Sequence, residues 1–403
     1  MALLERPSGS ERAKDFAKRV SDSRHNIFGR HGSAAQARLF EPSIQGLRGL
    51  AALSVLLVHL YDMPLTAGFL PPMPSWFDAI IGTFGRGVEV FFMISGYLIP
   101  ASLVRHQVVS KFFIDRCLRI LPVFVILHLA LFVIGPLVGY KFFKGIDALD
   151  YVKIFLANLF FLPDILNMPI GQQNAWTLTY EWVFYLWFAA TYYFTTRSRP
   201  VTALLVLAGV IAVLYFPISA YFVVGFALRA IELRIGARGI SGLLLSVACL
   251  ALMYMLLEYV HPFVGLLPGL ILFSTVLNPA STIAQQLSKA SPQFVGKISY
   301  SLYLVHPFAL YPLQVIGARL VTQGYSPWVV WPMFVVLGLL SSFVASTITY
   351  ELIEVRLRNV IAALLGTHER KTSVEVQSAV ASPLLRDDLR DHARLDHQGR
   401  RRE

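Results

Sequence analysis

The stretch IQGLRGLAALSVLLVHL, Ile44 to Leu60, is apolar at nearly every position, yet it carries an arginine at Arg48 and a histidine at His59. An ionisable group inside a membrane span costs a few kcal/mol or more, so two of them in one span mark a functional site by default. Arg48 and His59 stand eleven residues apart. At about 100° and 1.5 Å per residue they share one helix face, roughly 16 Å apart along the axis. That face offers a fixed cation at one end and a titratable base at the other. It suits a long ligand with an anionic head and a reactive end within the membrane. The bland alternative is an arginine snorkelling to the interface and a histidine hydrogen-bonded in a bundle.

The rest of the chain is built from similar runs. Of 403 residues, 56% are hydrophobic and only 15% are charged. A water-soluble protein of this length has no interior large enough for so much apolar surface. Runs long enough to span a bilayer lie at about 44–62, 79–100, 118–139, 175–195, 200–216, 218–234, 241–258, 262–278, 298–320 and 328–354. They predict an all-α polytopic membrane protein, a bundle of about ten transmembrane helices. Phe216-Pro217 reads either as a hairpin or as a kink. The net charge of +11 is a topology signal rather than a sign of a nucleic-acid partner. Most Lys and Arg fall in the termini and alternate loops. The opposite loops hold only Lys141, Lys144, Lys153 and Arg319. The positive-inside rule then places both termini in the cytoplasm. A basic arm is expected over 1–43, a transmembrane domain over 44–356, and a polar, disordered cytoplasmic tail over 357–403. Cys117 and Cys249 lie in separate apolar runs and suggest neither a disulfide nor a metal site.

The other intramembrane polar residues cluster in a few blocks. WTLTYEWVFY puts Trp176 at the outer interface, Glu181 about 7 Å deeper, and Tyr185 on the same face as Glu181. Glu181 and His59 fall at matching depth, which predicts an acid–base pair. The alternative is a structural arginine as the partner of Glu181. GRGVEVFFMISGYLI sets Arg86 three residues before Glu89, close enough to pair, and Ser95-Gly96 permits a close helix approach or a local break. FFIDRCLRILP sets Arg116 and Arg119 on the cytoplasmic edge, as phosphate ligands or as topogenic charge. GKISYSLYLVHPF adds Tyr300, Tyr303 and His306. YELIEVRLR ends the last run with Glu351 and Glu354 one turn apart, and His128 has no evident partner.

Taken together, these blocks resemble the acyltransferase-3 family of integral-membrane O-acyltransferases, over about residues 43–356. The Arg48–His59 spacing resembles that family's first-span signature. GVEVFFMISGYLI, RCLRILP, WTLTYEWVFY and GKISYSLYLVHPF resemble its later motifs, in the same order. One departure is Glu354-Val355-Arg356, where the family often has Glu-x-Pro. The resemblance is to stand-alone members that lack a fused hydrolase-like domain.

The resemblance implies transfer of an acyl group, acetyl above all, from acyl-coenzyme A to a hydroxyl of a sugar, polysaccharide or lipid-linked glycan. Acyl-coenzyme A would be a co-substrate, with no permanently bound cofactor and no metal. Arg48, Arg116 and Arg119 are the expected donor-binding residues, and His59 and Glu181 the catalytic pair. Arg86, Trp176, Tyr185, Tyr300, Tyr303 and His306 are the expected substrate-binding residues. His59 would act as general base or first take the acyl group itself. The family's usual range implies a bacterial inner membrane. A proton-coupled transporter or flippase of a glycan is the rival class, and it lacks support from matching halves in this sequence.

Overall fold

A computed structural model of the chain describes residues 41–106 and 108–366. The arm and tail expected at the two ends fall outside the described residues over 1–40 and 367–403. The chain parts into two units between Val355 and Arg356. Of the second, the described residues are the end of a π-helical turn and the helix Arg358–Leu364.

Each of the ten expected segments is helical, and no strand occurs among the described residues. We number the principal helices α1 Pro42–Thr66, α2 Gly87–His106, α3 Val109–Leu137, α4 Ala148–Leu159, α5 Trp176–Phe194, α6 Arg199–Tyr215, α7 Ala220–Ile231, α8 Gly239–Tyr259, α9 Leu266–Val276, α10 Ala290–Thr322 and α11 Pro327–Thr349. Six helices are long and apolar enough to cross a membrane. They are α1, α3, α8, α10, the run Ser75–His106 that ends in α2, and the run Pro327–Leu364 that begins with α11. Helices α6, α7 and α9 are apolar but shorter. None of the residues of α6 is buried, and its Leu204 and Leu214 are 65% and 63% exposed. An apolar helix without protein cover needs lipid as its solvent. The protein is therefore a multi-pass membrane protein.

Two segment edges differ from expectation for physical reasons. Helix α3 starts at Val109, well before the apolar run at 118. Arg116 can enter the helix because Asp115 and the Ser102 hydroxyl partner it. Between α6 and α7, Phe216 leaves helical geometry, with φ −123° and ψ 75°, and Pro217 opens a 3-10 turn. Pro217 thus separates two helices rather than kinking one.

Proline organises the interior in a way the apolar pattern does not reveal. A proline inside a helix has no N–H, so the carbonyl four residues earlier loses its helical partner. Within a membrane such an orphan must be satisfied by another group. Pro64 frees the Leu60 carbonyl, which accepts from Trp331 Nε1 of α11 at 3.1 Å. Pro136 frees the Phe132 carbonyl, which accepts from the Tyr151 hydroxyl of α4. Pro307 frees the Tyr303 carbonyl, which accepts from Asn174 Nδ2 at 2.8 Å. Each repair ties the broken helix to a different element.

Small residues set the closest crossings. A Cβ on Gly96 would strike the Phe222 carbonyl, and one on Gly225 would strike the Met93 carbonyl. The backbones of α2 and α7 therefore touch at two reciprocal glycines, the close approach that Ser95-Gly96 permits. Helix α10 packs between α1 and α11. These crossings turn the polar positions of α1, α2, α3, α5 and α10 towards one another. Outside them, Asn158 of α4 secures the long loop, donating to the Pro169 carbonyl and accepting from Gly171 N.

Candidate active site

An internal space lies among α1, α2, α3, α5 and α10. It encloses about 730 Å³ of empty volume, part of it open to the surroundings. Arg48 enters from α1, Arg116 and Arg119 from α3, Glu181 and Tyr185 from α5, and Tyr300 and Tyr303 from α10. Seven of the eleven expected site residues thus line one cavity, although they come from four separate stretches of chain. The three arginines expected to hold the donor are all among them.

The polar groups of the cavity are unequally partnered. Glu181 is held on both oxygens, by the Tyr185 hydroxyl at 2.7 Å and the Ser95 hydroxyl at 3.4 Å. Arg116 is 7% exposed and pairs with Asp115, while its Nε has no partner among the described residues. Arg48 and Arg119 line the cavity and make no direct ion pair or side-chain hydrogen bond among the described residues. The Tyr300 hydroxyl donates to the Ile120 carbonyl at 2.7 Å, fastening α10 to α3.

Beyond Tyr303 sits a second cluster. The ring centroids of Tyr303 and His306 are 6.5 Å apart, and those of His306 and His59 are 5.0 Å apart, edge to face. His59 Nδ1 lies 2.7 Å from the Val55 carbonyl and His306 Nδ1 lies 2.8 Å from the Leu302 carbonyl. A carbonyl only accepts, so each Nδ1 carries a proton, and in the neutral form of either ring the lone pair is on Nε2. The half-buried His59 therefore presents Nε2 as a base.

These elements are held by a sequence of known kind. A family model for the acyltransferase-3 domain, described as an acyltransferase domain, matches residues 41–350. The chain belongs to the acyltransferase-3 family. Among curated proteins of similar sequence, the peptidoglycan O-acetyltransferase OatA of Listeria monocytogenes is 24% identical over 379 residues, covering 80% of this chain and 56% of that protein. The exopolysaccharide production protein ExoZ of Rhizobium meliloti is 32% identical over 249 residues, covering 56% of this chain and 76% of that protein. The O-acetyltransferase OatA of Staphylococcus aureus is 24% identical over 369 residues, covering 79% and 57%. The chain thus spans little more than half the length of the two OatA proteins. No solved structure matches it.

For this acyltransferase-3 chain, four expected site residues lie outside the lining of the large cavity. His59 and His306 form the adjoining pair. Arg86 is engaged by Glu258 at 2.7 Å and by Glu89 at 3.4 Å. Trp176 lines a separate, smaller cleft with Asp164 and packs on Tyr180. Of the expected acid–base pair, Glu181 and His59 share no direct hydrogen bond. Glu181 and Tyr185 lie one turn apart on α5, with Ser95 of α2 against them, so the carboxylate's bonds are taken by those hydroxyls. Glu354 accepts from Ser301 at 2.9 Å, and Glu351 pairs with Lys297 at 3.4 Å. His128 is fully buried among Phe124, Phe132 and Phe155. Sequence reasoning missed Ser95 as the partner of Glu181 and Asn174 as the partner of His306. Asn174 stands two residues before the WTLTYEWVFY block, and the helix-breaking Pro307 was the available signal that some donor had to cover Tyr303.

Proposed function

We propose that this chain is a membrane-embedded O-acyltransferase. It moves an acyl group, acetyl above all, from cytosolic acyl-coenzyme A to a hydroxyl of a polysaccharide or lipid-linked glycan. One observation carries the reading: three guanidinium groups line a single intramembrane cavity, and Arg48 and Arg119 make no direct ion pair or side-chain hydrogen bond among the described residues. Cationic groups at membrane depth are costly unless an anion joins them, and guanidinium forks match phosphate oxygens. The diphosphate-bearing donor supplies that anion. Asp115 pairs with Arg116, and Glu354 and Glu181 offset part of the charge of Arg48, yet none of these carboxylates bonds directly to Arg48 or Arg119 among the described residues. Family membership supports acyl transfer. The names of the relatives, a peptidoglycan O-acetyltransferase and an exopolysaccharide production protein, support a glycan acceptor.

The chemistry then runs from the cavity to the histidines. The thioester reaches past Tyr303 towards His59. The acceptor hydroxyl attacks the thioester carbonyl as His59 Nε2 takes its proton. Tyr303, which touches both the cavity and His306, donates to the developing oxyanion. The C–S bond breaks, and the departing thiolate takes the proton back from His59. Helices α5, α6, α7 and α9 join the six long ones in a ten-helix bundle with both termini in the cytoplasm, so the arginines open towards the cytosolic donor. The membrane is a bacterial inner membrane.

Membranes carrying the protein or its His59→Ala variant, given acetyl-coenzyme A labelled in the acetyl group, test this. Label is expected in a glycan or glycolipid fraction only with the unmutated protein. Equal labelling by both proteins, or none by either in the presence of the host's acceptors, would sink the reading.

A further inference from the structure

Asn174 lies at the centre of an arrangement that the cavity does not account for. It is 5% exposed and sits in the short 3-10 turn that precedes α5. Its Nδ2 points at two acceptors, the Tyr303 carbonyl at 2.8 Å and His306 Nε2 at 3.3 Å. His306 is fully buried, and both of its ring nitrogens are engaged, Nδ1 by donating to Leu302 and Nε2 by accepting from Asn174. An imidazole so held cannot take a proton on Nε2 while the amide donor stays in place. Its ring packs edge to face on His59, with the Tyr303 ring as a more distant neighbour.

We infer that Asn174 is a positioning residue that locks His306 as a neutral imidazole in its Nδ1–H form, and that His306 in turn seats the His59 ring with Nε2 free for the reacting hydroxyl. This rests on the reading of His59 as the base. Asn174 acts through His306 and touches no reacting atom. His306 serves as a fixed wall beside the base rather than as a second base. The arrangement also links the outer loop, whose last residues include Asn174, to the orientation of the histidine in the membrane. Removal of a partner that orients a reactive group's neighbour ordinarily costs about 10–100-fold in activity, as it does for the outer partners of metal ligands.

The test must separate this role from the plain repair of the carbonyl freed by Pro307. The Pro307→Ala change returns an N–H to the Tyr303 carbonyl, so in that background Asn174→Ala removes only the His306 contact. Full-length protein labelled with nitrogen-15 in its imidazoles, reconstituted in bilayers, reports each ring by NMR, with His59→Ala and His306→Gln supplying the assignments. In the parent protein His306 is expected to show a protonated Nδ1 and a hydrogen-bonded, unprotonated Nε2. In both Asn174→Ala proteins the Nε2 signal should move. The rate of acyl transfer should fall about 10–100-fold in kcat in both backgrounds, with the donor KM unmoved. The inference is overturned if His306 carries its proton on Nε2, or if its signals ignore Asn174→Ala. It is overturned equally if Pro307→Ala restores the rate of Asn174→Ala, which would leave Asn174 a carbonyl cap and nothing more. Should the parent show no acyl transfer while the NMR outcomes hold, the proposed activity fails and the positioning of His306 stands.

Discussion

Arg119 enters the arginine-lined cavity in the third turn of α3 without a direct ion pair or side-chain hydrogen bond among the described residues, whereas Arg116 beside it pairs with Asp115. The two arginines of one motif therefore differ in what they have left to give a ligand. A charge-assisted hydrogen bond is worth about 2 kcal/mol, or roughly 30-fold in Kd. Arg119→Ala should weaken coenzyme A binding by that amount, measured by calorimetry on purified protein in detergent, and leave the melting temperature near that of the parent. Arg116→Ala should instead lower the melting temperature, because it removes the nearer of the Asp115 ion pairs and breaks the link from α3 to Ser102 of α2. Equal effects of the two changes on binding and stability would remove the distinction. His59 makes a third case. Its proton location follows from the Val55 carbonyl, a contact of i to i−4 geometry within α1, so the His59 base form is a local property of its helix.

At the scale of elements, two devices hold the site together, and neither involves charge. One is the crossing of α2 and α7 at Gly96 and Gly225, where each glycine faces a carbonyl of the other helix. Gly225→Ala places a methyl group against the Met93 backbone, which cannot yield as a side-chain tip can. Overpacking of this kind costs about 1–3 kcal/mol. Thermal unfolding in detergent should show the loss, and Gly139→Ala, at a position with open space around it, does not serve as a control because its φ of +68° strains any side chain. Gly82→Ala is the better control, since its nearest neighbour is the Tyr259 hydroxyl at 4.0 Å. An unchanged transition for Gly225→Ala would mean that the two helices do not meet there. The other device is the proline-freed carbonyl. At Pro64, Pro136 and Pro307 the helix loses an internal bond and gains one to another element, so the break and the tertiary contact are the same event.

For the whole molecule, the distribution of charge sets an orientation that can be measured directly. Arg197 lies in the turn between α5 and α6, and Lys144 lies in the long loop after α3. With Cys117 and Cys249 replaced by serine, Lys144→Cys should react with a membrane-impermeant maleimide in cells with a permeable outer envelope. Arg197→Cys should react only after the membrane is opened. The reverse pattern would turn the molecule over and put the arginine-lined cavity on the side away from cytosolic coenzyme A.

The apolar runs and their spacing determined by themselves that the chain is helical, where ten segments lie, and which few side chains carry charge into the membrane. They did so because these are local properties. A run of apolar residues must form a helix in lipid, whatever its neighbours do, and an arginine or histidine within it stands out without reference to fold. The gathering of Arg48, Arg116, Arg119, Glu181 and Tyr185 around one space agrees with the blocks seen in the sequence. Tertiary structure alone decided which of them touch. Glu181 went to Tyr185 and Ser95 rather than to His59, and His59 went to His306, because the rotation of each helix about its axis is set at distant crossings such as Gly96 on Gly225. Asn174 gained its place because Pro307 leaves a carbonyl open on α10, and only the folded chain brings the turn before α5 close enough to close it.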